Sequence, residues 1–78
     1  MQISVKYFAS LRELIGEADD SMEVEDNATV KDVWQSILSK HQIDIEQVMM
    51  TVNHEYVKPD HTLKTGDEVA FFPPVTGG

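Results

Sequence analysis

Ile3, Val5 and Tyr7 alternate with Gln2, Ser4 and Lys6. This period-two pattern belongs to a strand with one buried face and predicts a strand over 2–8. From Ala9 the period changes. Leu11, Leu14 and Ile15 fall at helical spacing and Gly16 follows as a stop, so 9–15 reads as a short helix. Residues 17–21 are polar and acidic and read as a loop. Met22 and Val24 then alternate with Glu23 and Glu25, giving a second strand that pairs with the first. Asp26, Asn27 and Thr29 supply helix-start chemistry, and Thr29 with Asp32 forms a capping-box pattern with Asp in place of Glu. Val30, Val33, Trp34, Ile37 and Leu38 follow at steps of three and four. They form one apolar stripe that predicts the main helix over 30–40, with Trp34 as its largest core residue. Residues 43–50 read as a further short turn. Two short strands, 50–53 and 56–57, flank a turn at 53–55. Pro59-Asp60 breaks the chain, and Gly66 sits in a turn suited to positive φ. The apolar run Val69-Ala70-Phe71-Phe72 closes the pattern as a last strand over 68–72.

Two strands, a main helix, short strands and a final strand predict an α+β fold in which one mixed sheet packs on one helix. This order matches the β-grasp arrangement of ubiquitin-like proteins, with the first and last strands at the sheet centre. The 78 residues fit one domain, expected to span 1–72, with 73–78 as an extended tail. A domain of this size buries only roughly 60% of its unfolded surface and has little room for a deep cleft. A carrier, a binding module or a subunit is favoured over an enzyme acting alone.

The chain carries 14 acidic and 6 basic residues, a net charge of −8. That balance argues against nucleic acid and against an anionic membrane surface, both of which require Lys and Arg. It suits solubility or docking to a basic partner. There is no Cys, so no disulfide or thiolate metal site is available. No apolar run approaches the ~20 residues of a membrane span. Residues 1–5 lack the basic-then-apolar pattern of a signal peptide, and the reading places the chain in the cytoplasm. His41, His54 and His61 lie in separate segments without metal-ligand spacing, so no metal site is predicted.

The most informative stretch is Phe71-Phe72-Pro73-Pro74-Val75-Thr76-Gly77-Gly78. Two prolines cannot continue a ladder and favour an extended polyproline form. After them come four uncharged small or medium residues. Six residues at about 3.1–3.5 Å each reach roughly 20 Å, enough to thread an active site on another protein. Gly77 and Gly78 lack a Cβ, so a narrow channel can close on their backbone. A carboxylate at Gly78 can then meet ATP, and adenylation converts a poor leaving group into a good one. Phe71 and Phe72 cannot both face the same side of a strand. One of them must point away from the helix, and exposed aromatic surface is a candidate partner site. Alternation alone leaves Phe8 and Phe72 evenly split between core packing and partner docking.

The segment 66–78, together with Tyr7-Phe8-Ala9 and Arg12-Glu13-Leu14, resembles the MoaD/ThiS group of ubiquitin-like sulfur carriers. The likeness in element order covers essentially the whole chain, and within the group it is nearest to the small subunits of molybdopterin synthases. The resemblance implies that an adenylating enzyme uses ATP to activate Gly78, which becomes a thiocarboxylate. The tail then donates sulfur to a cyclic pyranopterin monophosphate in a large subunit, building the molybdopterin dithiolene. It further implies a heterotetramer of two small and two large subunits and no cofactor bound to this chain. The chain would be a sulfur-donating subunit, without a catalytic set of its own. Gly78 and Gly77 would carry the chemistry. Phe8, Arg12, Tyr56, Phe72, Pro73, Pro74, Val75 and Thr76 would meet the partner, Tyr56 standing where an aliphatic residue is common. Four rivals remain: a sulfur carrier for thiamin or tRNA thiolation, a ubiquitin-like modifier joined through Gly78 to a Lys of another protein, an interaction module with an inert tail, and, weakest, a freestanding enzyme.

Overall fold

The computed structural model describes residues 1–45 and 47–74. Seven elements follow one another: β1 (Gln2–Tyr7), α1 (Ser10–Ile15), β2 (Asp19–Glu23), α2 (Val30–His41), β3 (Met49–Val52), β4 (Glu55–Tyr56) and β5 (Glu68–Phe72). The strands form one sheet in the order β2-β1-β5-β3-β4. β1 and β5 run parallel side by side, and the other neighbouring pairs are antiparallel. This is the α+β, β-grasp arrangement expected, and the first and last strands do occupy its middle.

Alternation decides which face is covered. Ile3, Val5 and Tyr7 of β1, Met50 and Val52 of β3, and Val69 and Phe71 of β5 share one core with Val30, Val33, Trp34 and Ile37 of α2. Leu11 and Ile15 of α1 join that core. Each such side chain contributes about 1.5–3 kcal/mol by leaving water. The Trp34 ring lies 4.7 Å from that of Phe71, and its indole N–H donates to the Ile45 carbonyl at 3.3 Å. One side chain therefore ties α2 both to the central strand and to the following segment.

The local signals resolve as physical chemistry. Thr29 Oγ1 accepts from the Asp32 N–H at 3.2 Å and Asp32 Oδ2 accepts from the Thr29 N–H at 2.9 Å, a complete capping box. The hydrogen bonds from Thr29, backbone first, hold the Asp32 carboxyl below its usual range. Gly16 ends α1 at φ 86° and donates to the Arg12 carbonyl. Gly66 takes φ 86° in the turn before β5.

Four readings need correction. Residues 19–21 are strand, because β2 pairs with β1 from Asp19 onward, whereas Val24 lies just past the strand. An edge strand needs only one row of partners, so polar residues suffice there. Leu14 is exposed on the two-turn α1, whose buried stripe is Leu11 and Ile15 alone. No helical or turn element forms among the described residues of 43–48, and β3 begins at Met49. The β3–β4 turn comprises only Asn53 and His54, because Val52 already pairs with Glu55.

Burial pushes the Tyr7 phenol up to about 12, and the charges of Asp20 and Glu17 add to it. The unfolded chain loses this proton near pH 10 and the native chain does not. Stability is therefore expected to hold below about pH 10 and to fall as the pH rises toward 12. Tyr7→Phe should flatten that decline in urea unfolding measured from pH 8 to 11.5. Equal slopes for the two proteins would refute the assignment.

Candidate docking surface and carrier tail

The face of the sheet away from α2 carries the side chains of opposite parity. Register places Lys6 beside Ala70, Ala70 beside Thr51, and Thr51 beside Tyr56, one row across four strands. One row further along, the Phe8 N–H donates to the Phe71 carbonyl at 3.2 Å and carries the β1–β5 ladder past the end of β1. There the Phe8 and Phe72 rings stack in parallel, with centroids 4.6 Å apart and planes 4° apart. Tyr56 approaches Phe72 from the other side at 6.5 Å. Phe71 is fully buried on the α2 face and Phe72 half-buried on this one, so the even split for Phe72 and Phe8 resolves toward the open surface.

Two backbone devices build this surface. Ala9 adopts φ 54° and ψ −131°, a region L-residues rarely enter, and the Leu11 N–H closes the turn on the Phe8 carbonyl at 3.2 Å. Such strain costs about 1–3 kcal/mol and persists only where its surroundings enforce it. It turns the chain sharply after Phe8. Asn53 and His54 both have positive φ, 52° and 71°, as a two-residue type I′ hairpin requires. The Asn53 amide donates to Asp67 Oδ1 and accepts from the Glu68 N–H, both at 3.0 Å. That clamp fixes the hairpin to β5 and sets where His54 and Tyr56 stand.

Glu68 borders the aromatic surface. Its Oε1 lies 3.2 Å from Lys6 Nζ and its Oε2 lies 3.1 Å from His54 Nε2. Thr51 and Ala70 lie deeper, 5% and 7% exposed, although they are on the face away from α2. The standing side chains around them leave a hollow of about 190 Å³. Among the described residues no group of His, Asp and Glu could hold a metal ion, and no helix is long and apolar enough to cross a membrane.

The family model described as the ThiS family matches residues 5–78, which takes in every element of this surface and the Gly77-Gly78 ending. The chain belongs to the ThiS family. Among the relatives of this ThiS-family chain, the molybdopterin synthase sulfur carrier subunit of Chlamydomonas reinhardtii is 42% identical over 100% of both chains. The protein of the same name from Escherichia coli is also 42% identical, over 97% of this chain and 99% of its own. Of the solved structures, small archaeal modifier protein 1 of Haloferax volcanii superposes with a TM-score of 0.81 at 26% identity, covering 95% of this chain and 98% of that one.

In this ThiS-family chain the structure brings Phe8, Tyr56 and Phe72 together, at the point where β5 gives way to a half-buried Pro73 and an exposed Pro74. Arg12 is exposed on α1, outside the aromatic group, and forms no ion pair with the described residues. Val75, Thr76, Gly77 and Gly78 lie outside the described residues. Lys6, Thr51, His54, Glu68 and Ala70 were not legible as one site. Strand parity assigns a face to Lys6, Thr51, Glu68 and Ala70 within their own strands, His54 sits in the β3–β4 turn, and only the cross-strand register makes the five neighbours.

Proposed function

We propose that this chain is the sulfur carrier subunit of a molybdopterin synthase and that it carries sulfur on the carboxyl group of Gly78. The observation that carries the reading is the end-to-end similarity to the algal and bacterial carriers at 42% identity. The geometry supports it, since β5, the middle strand, delivers Pro73 and Pro74 beside an exposed aromatic surface. A rigid body with a docking face next to its tail suits insertion into a partner.

In this proposal an adenylating enzyme joins the Gly78 carboxylate to AMP from ATP and releases pyrophosphate. Sulfide attacks the acyl carbon and AMP leaves, giving a thiocarboxylate. The charged tail, residues 73–78, then enters the large synthase subunit and transfers its sulfur to a cyclic pyranopterin monophosphate. Gly77 permits close passage, while Pro73, Pro74, Val75 and Thr76 contact the walls of the partner's channel. Phe8, Arg12, Tyr56 and Phe72 meet the large subunit in a cytoplasmic assembly of two small and two large subunits. The carrier binds no cofactor, and ATP is consumed by the activating enzyme.

Intact mass of the chain after incubation with its adenylating enzyme, ATP and a sulfur donor tests this. One oxygen should be replaced by sulfur in the wild type and not in a variant lacking Gly78. An unchanged mass, with an enzyme proven on its own carrier, refutes the reading. The similarity to an archaeal modifier protein supports a second reading, in which Gly78 is joined to lysines of other proteins. Higher-mass conjugates on lysate blots would favour it.

A further inference from the structure

We propose that the hollow over Thr51 and Ala70 receives one uncharged aliphatic side chain of the large synthase subunit, with Ala70 setting what fits. This rests on the sulfur-carrier reading and adds to it a recognition element away from the tail. About 190 Å³ is room for one such side chain rather than a peptide or a cofactor. The walls are the rings of Phe8, Tyr56 and Phe72, and the floor is the Ala70 methyl with Thr51. The central strand has its smallest side chain here, between the larger Lys6 and Thr51 on its two neighbours. Without that Ala there would be no hollow.

Charge narrows the occupant. Among the described residues Glu68 is the one carboxylate in the lining, with Oε1 3.2 Å from Lys6 Nζ and Oε2 3.1 Å from His54 Nε2. A cation entering the hollow would have to compete with Lys6 for Glu68, and the Lys6 ammonium repels it. An anion would face Glu68 in an already acidic chain. What remains is an apolar knob ringed by a balanced polar rim, the pattern of a binding hot spot. Continuity supplies the partner. Ala70 lies two residues before Phe72, about 7 Å along the strand. A subunit that closes around the tail as far as Pro73 already abuts Phe72 and Phe8, and a side chain one step further reaches the hollow.

The test is titration calorimetry of the full-length chain, unmodified, with purified large subunit. Ala70→Leu fills the hollow and should weaken binding about thirtyfold. Tyr56→Ala removes an exposed wall on an edge strand, so it is safe for the fold, and should weaken binding about tenfold. Ser39→Leu, on the far side of α2, should bind as wild type. If wild type binds and both Ala70→Leu and Tyr56→Ala bind equally well, the hollow is refuted while the carrier reading stands. If Glu68→Gln loses as much as Ala70→Leu, the occupant is a cation and the aliphatic assignment is refuted. If wild type fails to bind the large subunit, both readings fall.

Discussion

Phe71→Ala is expected to leave the chain without a cooperative fold. Phe71 is fully buried at the centre of the sheet, where it stacks on Tyr7 at 6.5 Å and meets Trp34 at 4.7 Å. Truncating a buried Phe to Ala costs about 3–5 kcal/mol, the sum of lost transfer energy and the cavity left behind. Aromatic pairs add about 0.5–1.5 kcal/mol each beyond their area. A single small core rarely supplies more than about 3–5 kcal/mol in total, so the loss equals the whole margin. The damage is hard to repair by collapse, since β5 is flanked on both sides by paired strands. Near-ultraviolet circular dichroism and urea unfolding measure it. A cooperative transition with a midpoint near that of the wild type would contradict this account of the core.

One position along, Phe72→Ser should have the opposite character. Phe72 points to the open face and stacks on Phe8, itself 40% exposed. Its loss removes a half-exposed contact and leaves no closed cavity, so stability should fall by no more than about 1.5 kcal/mol. If the chain is the proposed sulfur carrier, binding to the large subunit should fall far more, about a hundredfold, because an aromatic anchor beside the tail fits the profile of a hot spot. Calorimetric titration beside urea unfolding separates the two effects. Matching losses in stability and in affinity would place Phe72 in the core. Undiminished affinity would remove the aromatic surface from the interface. Two adjacent phenylalanines thus serve different ends, because a strand sends successive side chains to opposite faces.

That alternation was readable in the chain, as was much else that depends on near neighbours. The α2 stripe of Val30, Val33, Trp34 and Ile37, the Thr29–Asp32 capping box and the positive φ at Gly66 are local matters. So was the fact that one of Phe71 and Phe72 must leave the core. Polar β2 was partly missed, since an acidic stretch such as Asp19-Asp20-Ser21 becomes strand only by pairing with β1. The exposure of Leu14 was missed because a two-turn helix shows the core fewer residues than its period permits. The strain at Ala9 gave no signal at all, since its enforcement comes from the turn closed between Phe8 and Leu11.

By itself, the order of residues determined most of the elements, the alternation within each strand and the unusual Pro-Pro-Val-Thr-Gly-Gly ending. Only the tertiary structure decided that Lys6, Thr51, Glu68 and Ala70, from three strands, surround one hollow with Phe8, Tyr56 and Phe72. The reason is physical. Periodicity is set by a residue's own backbone and near neighbours, whereas cross-strand register is set by the joint packing of all strands on α2. A shift of one residue in β3 against β5 would have turned Thr51 into the core and left no floor for the hollow.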